Sequence, residues 1–462
     1  MKLLSLTSKD FETGFSSSAS NTKLGLFYSG TRINPFISEG TLRWSQEPVE
    51  IGAGTVVGTP QKFAISGGDA YANDASGNIY KIADVFGNPT VTKTKTGLTN
   101  TYGLEVFKTT NSLNYLYYWQ NTQIGRMKIS DGTFTDSWKA ITTTYRSDVN
   151  PTIRIDDELY FGSKNVVSKI VDTGADTNLV EAVLDLPIDY IITALSTDGN
   201  YLIITASKSV SSTLDYAETK AYFWDYKNNL PSWTVSYPIR DPQIRSMYTM
   251  VGITYAVGQY GLYGFAFTQE PVLLRDDVRN TVGYGNISRI KDAITFGDSN
   301  QCITYGKLKP GAITALFKPF RTDGSISCMD TFSSNTIGLF GTVDNKIYTQ
   351  ILNTGPTTYN QSSFTLSRID LGGLFQIERV DFIFDAVLAS SADLVSSITI
   401  QGNTGSTSFT PFTQTNFGSV ANVKCVPTAG SIPCDAFNLF VTGIYGSFRI
   451  RAIEIYGQRI ER

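Results

Sequence analysis

One local pattern recurs along most of this chain: an apolar strand, a small residue, a polar turn rich in Asn, Asp or Gly, and a second apolar strand. In residues 221–233 (AYFWDYKNNLPSW), aromatic side chains occupy every second position from Tyr222 to Tyr226. A period of two with aromatic residues is typical of a half-buried β-strand. The Asn-Asn pair and Pro231 that follow favour a turn. The pattern therefore predicts antiparallel β-structure.

Seven clear copies of the pattern begin about 35–50 residues apart, which is the spacing of propeller blades. A blade cannot bury both of its faces alone, and radial stacking buries them against neighbouring blades. We therefore predict an all-β chain with an irregular β-propeller of about seven or eight blades; a stack of irregular sandwiches is the alternative. Residues 24–58 supply either an eighth blade or a strand that closes the ring. The copies span residues 70–82, 115–129, 158–170, 201–233, 253–267, 293–305 and 337–350.

The pattern changes near Gly355-Pro356, where we place a domain boundary. From Leu366 onward the strands are longer, and apolar residues alternate as at Val380, Phe382 and Phe384. Such alternation with regular turn signals predicts a C-terminal antiparallel β-sandwich. The predicted organisation is an N-terminal arm (1–23), a β-propeller (24–360) and a β-sandwich (361–462).

Two local features refine this prediction. In residues 448–455 (FRIRAIEI) the apolar residues change parity after Ala452, and a strand can do so only with an inserted residue, so we predict a bulge near Ala452. The arm is Ser-, Thr- and Asn-rich and weakly patterned, and we expect it to be held against the body or a neighbouring chain. Helix signals are few; the short segment Val180–Leu186, which ends at Pro187, is one of them.

Composition excludes several kinds of chemistry. The chain has no histidine, which removes Ser-His-Asp and Cys-His catalysis and His-based zinc sites. A net charge of -3 argues against broad binding to a phosphate backbone. No segment approaches the roughly 18 apolar residues of a membrane span, and the N-terminal apolar run is too short for a signal peptide. We therefore expect a soluble protein made in the cytoplasm.

No motif predicts a catalytic, cofactor or metal site. The adjacent carboxylates at 156–157 and 276–277 would point to opposite faces of a strand, so neither pair forms a natural acid/base dyad. Residues 130–132 and 196–199 lack the Asp-x-Gly spacing of the sialidase turn motif. Residues 74–78 have too few alternating oxygens for a calcium loop, and residues 258–261 lack the helix that follows a phosphate loop.

The 25 tyrosines and 5 tryptophans are suited either to packing between blades or to stacking on sugars, and we favour packing. None of the four cysteines forms a Cys-x-x-Cys motif. Cys425 and Cys434 flank a loop that would sterically allow a bridge, although four small buried side chains are the simpler expectation.

Two features together resemble a known family. One is the aromatic blade with Trp224-Asp225, Asn229, Pro231 and Trp233. The other is the terminal region with residues 437–441 (FNLFV) and 448–457 (FRIRAIEIYG). This combination resembles virion proteins of tailed bacteriophages, in particular the tail-hub or nozzle proteins of short-tailed phages.

The resemblance implies a non-enzymatic structural protein of the virion. Copies of the chain would form a ring in the tail, carry DNA through it without specific binding, and dock neighbouring tail or portal proteins; no membrane is involved. The family has no catalytic residues to carry over. A receptor- or glycan-binding tail adhesin is the alternative, and a glycan-cleaving propeller enzyme is a third possibility. Hub, decoration and adhesin proteins share these folds, so the position in the particle stays open.

Overall fold

The structure is a computed structural model, and its strands are numbered here in chain order. Within the described residues the one helical element is a 3-10 turn at Thr143–Tyr145, so the predicted all-β fold is confirmed. The first four strands are β1 (Lys2–Thr7), β2 (Phe27–Thr31), β3 (Leu42–Arg43) and β4 (Val49–Ile51). The structure describes residues 1–7, 27–31, 42–43, 48–99, 103–147, 149–208, 218–228, 230–290, 293–307, 314–332, 337–351, 362–388, 395–402, 405–417, 420–444 and 447–460.

Seven four-stranded antiparallel sheets follow one another along the chain, and each is a blade. Blade 1 consists of β5 (Pro60–Ser66), β6 (Asp69–Asp74), β7 (Ile79–Ala83) and β8 (Thr90–Lys95). Blade 2 consists of β9 (Leu104–Lys108), β10 (Asn114–Trp119), β11 (Gln123–Lys128) and β12 (Thr133–Ala140). Blade 3 consists of β13 (Thr152–Ile155), β14 (Glu158–Ser163), β15 (Val166–Asp172) and β16 (Thr177–Asp185).

The remaining four blades repeat this order. Blade 4 consists of β17 (Tyr190–Thr197), β18 (Leu202–Lys208), β19 (Thr219–Trp224) and β20 (Val235–Ile239). Blade 5 consists of β21 (Ile244–Met250), β22 (Ile253–Gly258), β23 (Leu262–Ala266) and β24 (Gln269–Arg275). Blade 6 consists of β25 (Ile287–Ile290), β26 (Ala293–Asp298), β27 (Gln301–Lys307) and β28 (Thr314–Arg321). Blade 7 takes β29 (Ile326–Thr331), β30 (Ile337–Thr342) and β31 (Lys346–Ile351) from one part of the chain.

The fourth strand of blade 7 is β4, which comes from the N-terminal region. Ile51 lies opposite Ile347, and Val49 lies opposite Thr349. The predicted propeller is therefore confirmed with seven blades, and the closing-strand alternative is correct for residues 49–51. Each of the seven sequence patterns corresponds to the second and third strands of one blade.

Apolar side chains fill the space between consecutive blades. Tyr71 of blade 1 and Tyr118 of blade 2 belong to one buried cluster, and Phe63 of blade 1 and Leu339 of blade 7 belong to another. Together the clusters cover all seven interfaces between blades. The largest fully buried side chains are all aromatic, which confirms packing as their role: Trp119, Trp224, Tyr71, Tyr80, Tyr117, Tyr118, Tyr160, Tyr222, Phe107 and Phe161.

The small residue of the sequence pattern marks the closest approach between blades. A Cβ atom added at Gly162 would lie 2.6 Å from Ile192 of blade 4, and one added at Gly297 would lie 2.7 Å from Ile326 of blade 7. At Gly341 it would lie 2.6 Å from Pro60 of blade 1. Real Cβ atoms do not approach so closely, so glycine at the end of the second strand lets the next blade's first strand pack beside it.

The C-terminal unit is an antiparallel sheet of ten strands. The predicted sandwich is realised as one sheet that closes in the manner of a barrel, because β33 pairs with β37 near its start and with β36 and β38 further along. Its C-terminal strands are β32 (Ser362–Leu366), β33 (Ile369–Leu388), β34 (Val395–Gly402), β35 (Ser406–Phe417), β36 (Val420–Pro427), β37 (Cys434–Ile444) and β38 (Ser447–Arg459).

The predicted bulge near Ala452 is confirmed. Opposite the consecutive residues Ile383 and Phe384, strand β38 presents Ala452 and Ile450, so Arg451 is the inserted residue. Arg451 is exposed, while Ile450 and Ile453 on either side are fully buried. The insertion therefore keeps both apolar segments of the strand facing the core.

Both ends of the chain meet in this sheet. Strand β1 pairs with β38, β2 pairs with β32, and β3 pairs with β38. Residues 2–7 of the predicted arm are thus held against the body, while residues 8–23 and the predicted boundary at Gly355-Pro356 lie outside the described residues. One apolar cluster includes Val257 of blade 5, Ile294 of blade 6 and Phe382 of the terminal sheet, so the two units share a core.

Two sequence interpretations need correction. Of the segment Val180–Leu186, all but Leu186 belongs to strand β16, which forms the outer edge of blade 3 and pairs with β15 through an irregular register. Local apolar spacing gave a weak helix signal, and tertiary pairing decided otherwise. Strands β2 and β3 fall within residues 24–360, which we assigned to the propeller, but they join the terminal sheet. Short strands do not show in sequence which distant edge they will join.

The close approach at Gly341 generates a prediction. We expect Gly341→Ala to lower the free energy of unfolding by about 1–3 kcal/mol, because the methyl group would force Pro60 and Cys328 apart. Urea unfolding followed by tryptophan fluorescence measures the change. Gly68→Ala is the matched control, since its added Cβ would meet only Phe86, at 3.9 Å. Equal losses in the two variants would contradict the proposed role of the glycine.

Candidate functional site: the central channel

The first strands of the seven blades surround a central channel. They are β5, β9, β13, β17, β21, β25 and β29, and each contributes residues to the lining of a cavity of about 370 Å³. Consecutive first strands lie beside one another all the way round, including β29 beside β5. Side chains from every blade thus converge in this channel.

Irregular pairing inserts an extra polar residue into the inner strand of four blades, and two of these residues, Thr193 and Arg245, line the channel. In four of the first strands the register with the second strand skips one residue, which is a β-bulge. The inserted residue bonds within the ring of inner strands in some blades; Ser327 Oγ, for example, donates to the carbonyl of Pro60 at 2.6 Å. The four inserted residues are Gln61, Thr193, Arg245 and Ser327.

One polar network links blades 1, 2 and 3. Lys62 Nζ lies 3.2 Å from Glu105 Oε2 and also donates to Thr152 Oγ1. The hydroxyl of Thr152 in turn donates to Glu105 Oε2 at 3.1 Å. Because each residue comes from a different blade, these bonds connect three consecutive inner strands.

Similar bonds connect the other blades. The hydroxyl groups of Ser196 and Thr249 lie 2.7 Å apart across blades 4 and 5. Those of Ser288 and Thr331 lie 2.7 Å apart across blades 6 and 7. The inner strands are therefore joined by side-chain hydrogen bonds, which are costly to break where water is scarce.

Asp330 is the most perturbed acid of the channel. Burial is the main reason that its pKa is raised to about 7, and the negative charge of Glu105 raises the pKa further. The hydrogen bond from the Thr331 N–H and the positive charge of Lys62 act in the opposite direction. Its Oδ1 accepts hydrogen bonds from Thr331 N at 2.7 Å and from Ser288 Oγ at 3.2 Å. The channel thus contains a carboxyl group that exchanges a proton near neutral pH, beside a second carboxylate that is paired with lysine.

Sequence reasoning did not identify these channel residues. Lys62, Glu105 and Asp330 stand alone in the sequence, each on a different blade, and no local motif surrounds them. The only sequence signal of these three residues is that each is a charged residue in the strand before a predicted hairpin. Spatial convergence in a ring is what brings them together.

The motifs singled out in the sequence lie at turns instead. Asp156 and Asp157 are exposed in the turn between β13 and β14, and Asp277 is paired with Arg275 at 2.6 Å. Asp74 accepts hydrogen bonds from the backbone N–H groups of Ser76 and Asn78, both at 2.9 Å, and these bonds stabilise the turn. Of residues 196–199, Ser196 and Thr197 also line the channel.

The cysteines behave as small buried side chains. All four are free and buried, so Cys425 and Cys434 do not form the disulfide that their loop would allow. Burial raises the pKa of the Cys425 thiol to about 12 and that of Cys434 to about 11. Both thiols therefore stay protonated at neutral pH.

Two further findings concern the part of the chain that the structure describes. Its acidic and cysteine side chains form no group of three or more that could hold a metal ion. No helix there is long and apolar enough to cross a membrane.

Comparisons with known proteins extend only to the fold. No protein-family model and no curated protein matches this chain. The designed protein Ika8 is similar at 11% identity and a TM-score of 0.44 over 66% of this chain and 99% of its own. A streptogramin B lyase is similar at 12% identity and a TM-score of 0.47, over 66% of this chain and 98% of its own. PorZ is a surface component of the type-IX secretion system of Porphyromonas gingivalis. It is similar at 9% identity and a TM-score of 0.45, over 69% of this chain and 42% of its own.

The raised pKa of Asp330 predicts a pH-dependent stability difference. An acid whose pKa is higher in the folded than in the unfolded state destabilises the fold as pH rises through that interval, here from about 4 to about 7. Asp330→Asn keeps an oxygen acceptor for Thr331 and removes the charge. We expect the variant to gain stability relative to the parent between pH 5 and pH 8, measured as thermal unfolding midpoints. A constant difference across this range would contradict the assignment.

Proposed function

We propose that this chain is a non-enzymatic structural component of a bacteriophage particle. Copies of it form part of the tail as a hub- or nozzle-like ring, and the ring docks other tail proteins around the DNA path. The proposal rests on the resemblance of the blade around Trp224-Asp225 and of the terminal strands to tail-hub proteins. The structural observation that carries it is the interlocking of the two units.

Interlocking supports the proposal because a ring under load needs rigid subunits. The propeller is closed by β4, and the terminal sheet is completed by β1, β2 and β3. The chain passes from the terminal sheet into the propeller and back again, and blades 5 and 6 share apolar core with that sheet. A force that separates the two units must therefore expose the apolar surface that they share, and the chain connects them at two places.

The dimensions of the channel decide where DNA would run. The cavity of about 370 Å³ is lined by side chains from all seven blades. A duplex whose major groove alone is about 12 Å wide and about 8.5 Å deep does not fit within it. In the proposed assembly the DNA path therefore lies between copies of the chain, not along the propeller axis.

The charge of the chain suits such a path. Binding to duplex DNA depends on Lys and Arg contacts with phosphates, and every such contact slows passage. The chain has a net charge of -3, so it offers no overall excess of such positive groups. The proposed role is accordingly a conduit without specific DNA binding.

Light scattering and negative-stain electron microscopy of the purified full chain test the proposal. We expect a multimer with a lumen wide enough for a duplex, whose mass is unchanged by moderate dilution. Antibodies against the chain should also label the tail of particles from the phage that encodes it. A monomer that binds host glycans or cells, without tail labelling, would favour the adhesin instead.

A further inference from the structure

The outer edge of β38 is covered by two separate pieces of the N-terminal region. Thr7 of β1 lies opposite Ala452, and Leu42 of β3 lies opposite Ile450. The two pieces are therefore neighbours along one edge, although residues 8–41 separate them in sequence. Between them the chain visits β2, which is at the other end of the strand order of the sheet.

Strand β1 is seated by specific contacts. Met1 N donates to Gly457 O at 3.0 Å, and Gly457 N donates to Met1 O at 2.9 Å. A Cβ at residue 457 would lie 2.9 Å from the side chain of Leu3, so glycine there leaves space for that leucine. Leu6 is fully buried in the core of the terminal sheet.

Charged groups on the outward face add to this seat. Lys2 forms an ion pair with Glu454, which also accepts a hydrogen bond from Tyr456 OH at 2.6 Å. The guanidinium of Arg379 lies 4.0 Å from the centre of the Tyr456 ring. The seat for β1 is therefore built from β33 and β38, at the far end of the chain.

Nothing in this pairing depends on which copy of the chain supplies β1. Among the described strands β1 pairs with β38 alone. The connection through residues 8–26 can span up to about 60 Å when extended. Exchange of an identical element between subunits keeps every contact and adds an interface at low cost.

We propose that β1 is exchanged between copies: residues 1–7 of each chain complete the edge of β38 in a neighbouring copy. The partner is thus a second copy of this chain, and the site is the edge that Ala452–Gly457 presents. The inference rests on the assembly proposed above and gives its copies a mutual strand contact.

Paired cysteines distinguish exchange from pairing within one chain. Ser5 lies directly opposite Glu454, and the four native cysteines are buried and free. Two differently tagged copies, one with Ser5→Cys and the other with Glu454→Cys, are co-expressed, purified together and mildly oxidised. Exchange predicts a reducible disulfide between the two tags. The double variant S5C/E454C should form bands of two or more chains on non-reducing gels.

A matched control uses two residues that face each other inside one blade. Lys81 and Thr92 are opposite each other in β7 and β8, so Lys81→Cys and Thr92→Cys on separate copies should not cross-link. A monomeric intrachain bridge in S5C/E454C, with no disulfide between tags, would overturn the exchange. The mass before oxidation separates the two proposals: a multimer with only intrachain bridges refutes exchange alone, and a monomer with such bridges counts against both.

Discussion

A blade has two apolar faces, and neither is buried until another blade packs against it. This requirement organises the propeller, because seven sheets satisfy it only when the last meets the first. The junction is made by Phe63 of blade 1 with Leu339 and Ile347 of blade 7, and by the pairing of β4 with β31. Without β4, the outer edge of β31 and one border of that cluster would face water. The short segment Val49–Ile51 thus completes the blade through which the ring closes.

Closure of the ring also brings neighbouring strands so close together near the centre that only residues without a side chain fit at some positions. The first strands meet at a small radius, where Gly162, Gly297 and Gly341 leave room for the neighbouring strand. Polar groups at the same radius cannot all reach water, so they bond to one another, as Lys62, Glu105 and Thr152 do. The high pKa of Asp330 has the same origin, because an ionised carboxylate is poorly solvated in this confined space. The channel therefore combines close backbone approach with internally paired charge.

The sequence predicts those parts of the fold whose signal is local. The second and third strands of each blade are largely buried, and in six blades a turn of two to four residues joins them, so the hairpins are visible in the pattern. The bulge near Ala452 could also be predicted, because the change in parity of the apolar residues is a local signal. First strands such as β13 carry mixed polar residues because one side faces the channel, and outer strands such as β8 carry lysines and threonines because they face water. Their pattern is weaker, and the channel residues on first strands were missed.

Long-range pairing is the other part that local pattern cannot supply. Met1 and Gly457 bond to each other across a separation of 456 positions. Each doubling of a closed loop adds only about 0.6 kcal/mol of entropic cost, so such remote pairing is thermodynamically affordable once Leu6 is buried. The pairing is nevertheless expected to form slowly, because non-local contacts form late in folding. During synthesis β1 exists long before β38, and when β38 emerges its edge meets any β1 at sufficient local concentration. In an assembly of many copies, the arms of neighbouring copies add to that concentration, and this is the route by which the exchange proposed above would occur.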